Sequence, residues 1–161
     1  MKVLYICRHA KSSWQNSNLS DFERPLNERG LKTAPKMAKY LSKQQPLPDT
    51  IITSTAQRAL HTANIYNEEL NINLKKEKDL YHIDYMELFH YICSLPAAIN
   101  SVAIVGHNPG LTNIVNYLTG ADIYNIATAG IAAIKFNINH WNEISGQTGE
   151  LLWYQYPKGL D

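Results

Sequence analysis

The chain has only two cysteines, Cys7 and Cys93, in 161 residues. Both sit among apolar neighbours, where a thiol behaves as a small hydrophobe in a reduced compartment. No disulfide framework is expected. A cysteine-dependent phosphatase is excluded as well. Such an enzyme needs an arginine several residues beyond its cysteine, whereas Cys7 abuts Arg8 directly and Cys93 has no arginine after it. Charge of one sign is also missing. The formal net charge is +1, so there is no global field for nucleic acid or an anionic membrane. Any attraction for an anion must be local. No apolar run approaches the length of a membrane span. The start of the chain is no signal peptide, because charged residues follow the first apolar run at once. The location expected is cytoplasmic. Repeats, low-complexity tracts and an internal boundary are all absent, so residues 1–161 are expected to form one domain.

What is present is a set of buried-strand patterns, each ending in a polar group. Lys2-Val3-Leu4-Tyr5-Ile6-Cys7 is apolar without alternation, as in a strand covered on both faces of an α/β sheet. It leads into Arg8-His9-Ala10-Lys11. The segment Ser12–Leu26 reads as a loop that its aromatics Trp14 and Phe22 help to pack. Asn27 is an N-cap for a helix to about Lys43, with Leu31, Ala34, Ala38 and Leu41 at helical spacing. Pro35 should bend or shorten it. Lys32, Lys36, Lys39 and Lys43 read as a solvated face, since no aromatics are interleaved with them. Asp49–Ser54 is a second buried strand. Ser54 or Thr55 is the expected cap of a helix reaching about Leu70, with Arg58 in its first turn. A cation there opposes the helix dipole, and a bound anion is the better explanation of it.

Leu74–Leu80 has room for a short extended piece. Asp84 with Glu87 suggests a capped helix over Tyr85–Leu95. Ser101–His107 is the clearest strand. Asn108 as N-cap with Pro109 as first helical residue predicts a helix through Tyr117 or Leu118, closed by Gly120. Ile131–Asn137 and Leu151–Tyr156 are two further strands, joined through Trp141–Gly149. Strands alternating with helices predict a three-layer α/β sandwich, with a mostly parallel central sheet and helices on both faces.

Ligands in such sheets sit beyond the carboxyl ends of the strands. Three of those ends carry Arg8-His9, Arg58 and His107. Two guanidiniums can each fork onto a phosphoryl group. One imidazole can attack phosphorus and carry the group covalently. The other can donate to an oxygen as charge builds. Taken alone, Arg8-His9 could equally open a polar surface loop. Its convergence with Arg58 and His107 makes the site the better reading.

These residues resemble the histidine phosphatase superfamily, the phosphoglycerate mutase-like proteins. Leu4-Tyr5-Ile6-Cys7-Arg8-His9-Ala10 is similar to its Arg-His-Gly signature. Ser54 to Ala63 is similar to the second motif, and Val105-Gly106-His107-Asn108-Pro109-Gly110 to the third. The short length, Asp21-Phe22-Glu23-Arg24-Pro25-Leu26, Leu80-Tyr81-His82 and the stretch from Gly149-Glu150 to Pro157 look most like the SixA phosphohistidine phosphatase subgroup. The likeness spans essentially the whole chain.

The resemblance implies a phosphoglycerate mutase-like fold and a metal-independent phosphatase with no cofactor. Its substrate would be phosphorylated: a phosphohistidine protein or a small phosphate compound. No nucleic acid or membrane partner is implied. His9 would be the nucleophile, with its Nδ1–H fixed by a carbonyl or carboxylate and Nε2 facing phosphorus. Arg8 and Arg58 would clamp the phosphoryl group, and His107 would complete the pocket. Arg24 would add a third cation, and Asp21 would either orient it or face the leaving group. Asn108 is a further candidate for substrate binding. Two departures stand out. Ala10 replaces the signature glycine. The glutamate acid that larger members carry in a Leu-x-Glu segment is absent, since Leu80-Tyr81 leads to His82. His82 is either a substitute acid or a histidine without a role. A missing acid suits phosphohistidine, whose imidazole leaves more readily than an alkoxide. The competing readings are a general small-molecule phosphomonoesterase and a non-catalytic module that binds phospho-ligands. The cleft over the site is expected to be lined by Ser12–Leu26, the surroundings of His82, and Ala127-Thr128-Ala129. His61, His90 and His140 have no partners at metal-ligand spacing.

Overall fold

A computed structural model describes residues 1–161. The strands are β1 (Lys2–Arg8), β2 (Thr50–Thr53), β3 (Asn73–Lys76), β4 (Ser101–Gly106), β5 (Ile131–Phe136) and β6 (Glu150–Gln155). They form one six-stranded sheet in the order β3-β2-β4-β1-β5-β6. Pairings β1–β4, β2–β3 and β2–β4 are parallel, while β1–β5 and β5–β6 are antiparallel. The helices are α1 (Glu28–Ser42), α2 (Gln57–Leu70), α3 (Tyr85–Cys93) and α4 (Gly110–Thr119).

The unbroken apolar run of β1 has its cause in this order. β1 lies inside the sheet between β4 and β5, and both its faces are covered. Val3, Tyr5 and Cys7 point into one core with Ala34, Met37 and Leu41 of α1 and Ala59, Ala63 and Tyr66 of α2. Leu4 and Ile6 point into the opposite core with Leu88 and Ile92 of α3 and Leu111, Ile114 and Leu118 of α4. That is the three-layer sandwich expected, with period-two alternation distributing each strand between the two cores. The edge strands β3 and β6 are more exposed and more polar.

Register brings the functional strand ends together. Arg8 lies opposite Gly106, and Thr53 opposite Val105. Ile131, the first residue of antiparallel β5, lies opposite Cys7. The loop Ala127–Gly130 therefore meets the ends of β1, β2 and β4 at one edge. Its backbone is tied there: the Ala129 amide donates to the His9 carbonyl at 2.9 Å, and the Arg8 amide to the Gly130 carbonyl at 3.0 Å.

Several local expectations are corrected. α1 runs through Pro35 to Ser42 without being cut short. Leu31 is 48% exposed; the buried face of α1 is Gly30, Ala34, Met37, Ala38 and Leu41. α2 has Ala56, without a capping side chain, at its N-cap position instead of Ser54 or Thr55. α3 ends at Cys93, short of Leu95. Cys7 is buried but Cys93 only partly so. α4 begins at Gly110, with Pro109 in the cap position. Asn108 still serves that end, because its Oδ1 accepts from the Thr112 amide at 3.1 Å and the Thr112 hydroxyl at 2.8 Å. Trp141, in the β5–β6 connection, is fully buried. Its indole N–H donates to the Ile99 carbonyl at 2.8 Å. No helix is long and apolar enough to cross a membrane.

Candidate active site

The edge of β1, β2 and β4 opens into a cavity of about 220 Å³. Arg8, His9, Arg24, Arg58, His82, His107 and Asn108 line it, with Lys11, Ser12, Trp14 and Thr128. Four of these side chains, Arg8, Lys11, Arg24 and Arg58, are cations, and none is a carboxylate. The attraction for an anion is thus local, in a chain whose net charge is only +1.

His9 sits just past β1 and is 7% exposed. Its Nδ1 lies 2.7 Å from the Ala10 carbonyl. A carbonyl only accepts, so Nδ1 carries the proton and Nε2 keeps its lone pair. The turn is held by Thr62, whose hydroxyl accepts from the Ala10 amide at 3.0 Å and donates to the Arg58 carbonyl at 2.7 Å. One side chain thereby links the first and second motifs. Burial first, then the charges of Arg58, Arg8 and Arg24, push the His9 pKa down to about 4 against the opposing pull of the Ala10 carbonyl. The ring is neutral at physiological pH.

His107 follows β4, its ring centroid 5.3 Å from that of His9. Its Nε2 is 2.8 Å from the Ser54 hydroxyl, which explains why Ser54 is not a regular cap of α2. Burial is the main cause that lowers its pKa to about 3, helped by His9, Arg58 and His82 and opposed by Asp21. Its Nδ1 is buried without a protein partner, and so is Nε of Arg8. Two orphaned polar atoms in one cationic cavity suit a ligand that would satisfy them. The other end of Arg8 is anchored, with Nη1 donating to the Ile126 carbonyl at 2.8 Å. Asn108 braces the same carbonyl through Nδ2 at 3.0 Å and also donates to Asn125 at 2.9 Å. Both amide protons of Asn108 are thus engaged, and it borders the cavity as a brace for Arg8's anchor.

Asp21 is the hub of the remaining contacts. Its Oδ1 pairs with Arg24 Nη1 at 2.9 Å and its Oδ2 with Arg58 Nη2 at 3.0 Å. The Tyr81 hydroxyl donates to Oδ2 at 2.6 Å, and Arg58 Nη1 to the Asp21 carbonyl at 2.6 Å. Burial opposes its charge, but donation from Tyr81, Arg24 and Arg58 and the Arg58 charge outweigh it. The carboxyl is held well below the usual carboxylate range, so Asp21 has no proton to give. Of the two roles open to it, orienting arginines is the one its contacts serve. With its terminal nitrogens on Asp21, Arg58 aims Nε at His9 Nε2, 3.4 Å away. Arg24 is buried, donates through Nε to the Ser13 carbonyl at 3.0 Å and through Nη2 to the Ser12 hydroxyl, and its Cζ lies 3.3 Å from the Trp14 ring centroid. His82 is at the rim. Its side chain is 67% exposed, Nε2 lies 3.8 Å from Asp21 Oδ2, and its ring is 3.9 Å from that of Tyr81. Its φ is +58°, a left-handed backbone that L-residues adopt at some cost.

The sequence reading assigned no role in the site to Tyr81, Ser54 or Lys11: Tyr81 stands there only within a motif and Ser54 as the expected cap of α2, while Trp14 enters only as part of the Ser12–Leu26 loop. Nothing in the chain order pairs Tyr81 with Asp21, 60 residues away. No three His, Cys, Asp or Glu side chains come together as a metal-ligand set.

The low histidine pKa values carry a stability consequence. Both rings titrate in the fold at about 4 and about 3, below the ordinary 6.5. The unfolded chain binds protons that the folded one refuses, so stability is complete above pH 6.5 and falls as pH drops through that value. By pH 5 the expected loss is about 2 kcal/mol for each ring. Urea melts from pH 7.5 to 5 check this. His107→Asn should flatten the dependence, and equal slopes in the two proteins would contradict it.

A sequence model of the histidine phosphatase superfamily (branch 1) matches residues 4–91. A chloroplastic, uncharacterised protein of Arabidopsis thaliana is 29% identical over 161 residues, covering 93% of this chain and 73% of its own. The fold superposes on a candidate phosphohistidine phosphatase SixA of Agrobacterium tumefaciens with a TM-score of 0.83 and 25% identity, covering 97% of this chain and 98% of that one. It matches a protein histidine phosphatase SixA complexed with tungstate equally well, at TM-score 0.83, 22% identity and 99% coverage of each chain. This chain belongs to the histidine phosphatase superfamily, and its fold is close to that of the SixA structures. It is a phosphatase, and its substrate carries a phosphoryl group.

Proposed function

We propose that this enzyme removes the phosphoryl group from phosphohistidine on a protein, through a covalent phosphohistidine on His9. The observation that carries the mechanism is the tautomer of His9, whose Nδ1–H is committed to the Ala10 carbonyl. The Nε2 lone pair attacks phosphorus, the new N–P bond forms, and the N–P bond of the substrate breaks. The departing imidazole takes a proton from water at the open mouth. Water then attacks the phosphoryl group in line, and His9 leaves as the neutral ring. Arg8 and Arg58 hold the equatorial oxygens and meet their growing charge. If the Ser54 hydroxyl donates to Nε2 of His107, its orphaned Nδ1 is the N–H that reaches a third oxygen. Arg24 supplies charge, and Asp21 positions both Arg24 and Arg58.

The substrate follows from the leaving group. Asp21 is ionised, His9 and His107 are neutral, and no carboxylate lines the cavity. An alkoxide departs slowly without a placed acid, and imidazole departs readily. The SixA neighbour is complexed with tungstate, a tetrahedral oxyanion like phosphate, which supports a phosphoryl ligand for this fold. The second reading is a small-molecule phosphomonoesterase. It is favoured by the place of His82, at the rim and 3.8 Å from the Asp21 carboxylate, where a protonated imidazole could serve an alkoxide. A panel run in chelator separates the two, with a phosphohistidine carrier protein against phosphoserine peptides and sugar phosphates. Phosphohistidine should lead by at least about 10² in kcat/KM. Phosphoesters turned over equally well would give the second reading the case.

A further inference from the structure

A second cavity, of about 340 Å³, adjoins the phosphoryl site. Lys11 and Thr128 line both and form their common wall. The remaining lining is Arg29 and Thr33 of α1, Ala127, and Tyr156, Pro157 and Lys158. With Lys11 the cavity has three cations, and no lining residue is acidic. The ion pairs of the molecule involve Arg24, Lys36, Arg58 and His82, so Lys11, Arg29 and Lys158 have no carboxylate partner.

The backbone around these cations is fixed. The Asn27 amide donates to the Lys11 carbonyl at 2.9 Å. A side chain at position 30 would run into that carbonyl, so Gly30 lets the first turn of α1 press against Lys11. Arg29 stands in that turn, where a cation opposes the helix dipole. Like charges are thus gathered next to an anion site, at a cost that a bound anion would offset.

We propose that this cavity is an accessory anion subsite that seats an acidic side chain of the phosphorylated partner, beside the phosphohistidine in the catalytic cavity. The proposal rests on the phosphohistidine-protein reading. The volume of the cavity exceeds that of the phosphoryl site itself. Tyr156, Pro157 and Ala127 give it apolar wall against which the methylenes of an Asp or Glu side chain can lie. The recognition element is a carboxylate near the phosphohistidine, and its effect is on binding, not on the chemical step.

The test uses two phosphohistidine peptides, one flanked by glutamates and one by glutamines, with the variants Arg29→Glu and Lys158→Glu. Both residues are exposed, and neither lines the catalytic cavity. The wild type should show a lower KM for the acidic peptide, lost as salt rises. Each variant should raise that KM about tenfold and leave kcat and the neutral peptide unchanged. Equal effects on both peptides, or none on either, overturn the subsite. Its binding is also read without turnover, by NMR titration of His9→Ala protein with the unphosphorylated acidic peptide and, separately, with inorganic phosphate. Shifts at Arg29, Thr33 and Lys158 with the peptide support the proposal even if neither peptide is hydrolysed, a result that would count against the phosphohistidine reading alone. No shifts there, or shifts with phosphate only, overturn it.

Discussion

His9→Ala is expected to lower kcat by at least about 10⁴-fold, as removal of a covalent nucleophile does. The effect should be large because no neighbour can substitute. His107 is the buried ring beside His9, but its Nε2 is held by Ser54 at 2.8 Å. His82 is exposed at the rim. The thiol of Cys7 is buried and pushed above its ordinary value by that burial, so it offers no thiolate. Wild-type enzyme quenched during turnover of a labelled substrate should carry acid-labile, base-stable phosphate on His9, and the variant none. Circular dichroism checks that the variant folds, since His9 is 7% exposed and its loss leaves a small cavity. A variant that keeps activity within about tenfold of wild type, or label found on serine, would remove His9 from the role of acceptor. With His9 neutral down to about pH 4, kcat/KM should show no His9 inflection near the usual 6.5.

Much of this site was legible because strand ends advertise it. The unbroken apolar run Val3–Cys7 could only be an interior strand. The residues after such a strand stand at the ligand edge of the sheet. The same logic placed Arg58 and His107, each just beyond another parallel strand. The register Arg8–Gly106 then brings the three together. What the sequence could not show were contacts between elements with no shared period. Asp21 gathers Arg58 and Tyr81 from distant parts of the chain, beside its near neighbour Arg24. A loop aspartate followed by an arginine three residues on looks the same whether or not a tyrosine reaches it. Ser54 was misjudged for a related reason. It had the composition of a helix cap, and the structure uses its hydroxyl on His107 instead. Leu31 met the helical spacing as well as Ala34 did. Only the placement of α1 against α2 and the sheet decides which flank of the apolar stripe is covered.

Arg58 carries the second large effect. Its terminal nitrogens are fixed by the Asp21 carboxylate and carbonyl, at 3.0 and 2.6 Å, which leaves Nε directed at His9 Nε2 across 3.4 Å. A phosphoryl group attacked by that nitrogen must pass beside this N–H, so the guanidinium meets the oxygen charge as it grows. Arg58→Ala should lower kcat/KM by about 10³-fold, the scale of losing a preorganised donor in a closed site. Arg58→Lys should recover little of it. An ammonium cannot hold both Asp21 oxygens and still present a fixed N–H to the reacting group. A second readout separates this role from a merely structural one. The Arg58 charge also depresses the pKa values of His9 and His107. Without it, both rings protonate more readily, so the acid limb of the kcat/KM profile should move to higher pH. A fold-stabilising residue alone would lower activity at every pH without shifting the limb. An Arg58→Ala enzyme within about tenfold of wild type, with its acid limb unmoved, would show that the phosphoryl charge is met elsewhere in the cavity, by Arg8 and Arg24.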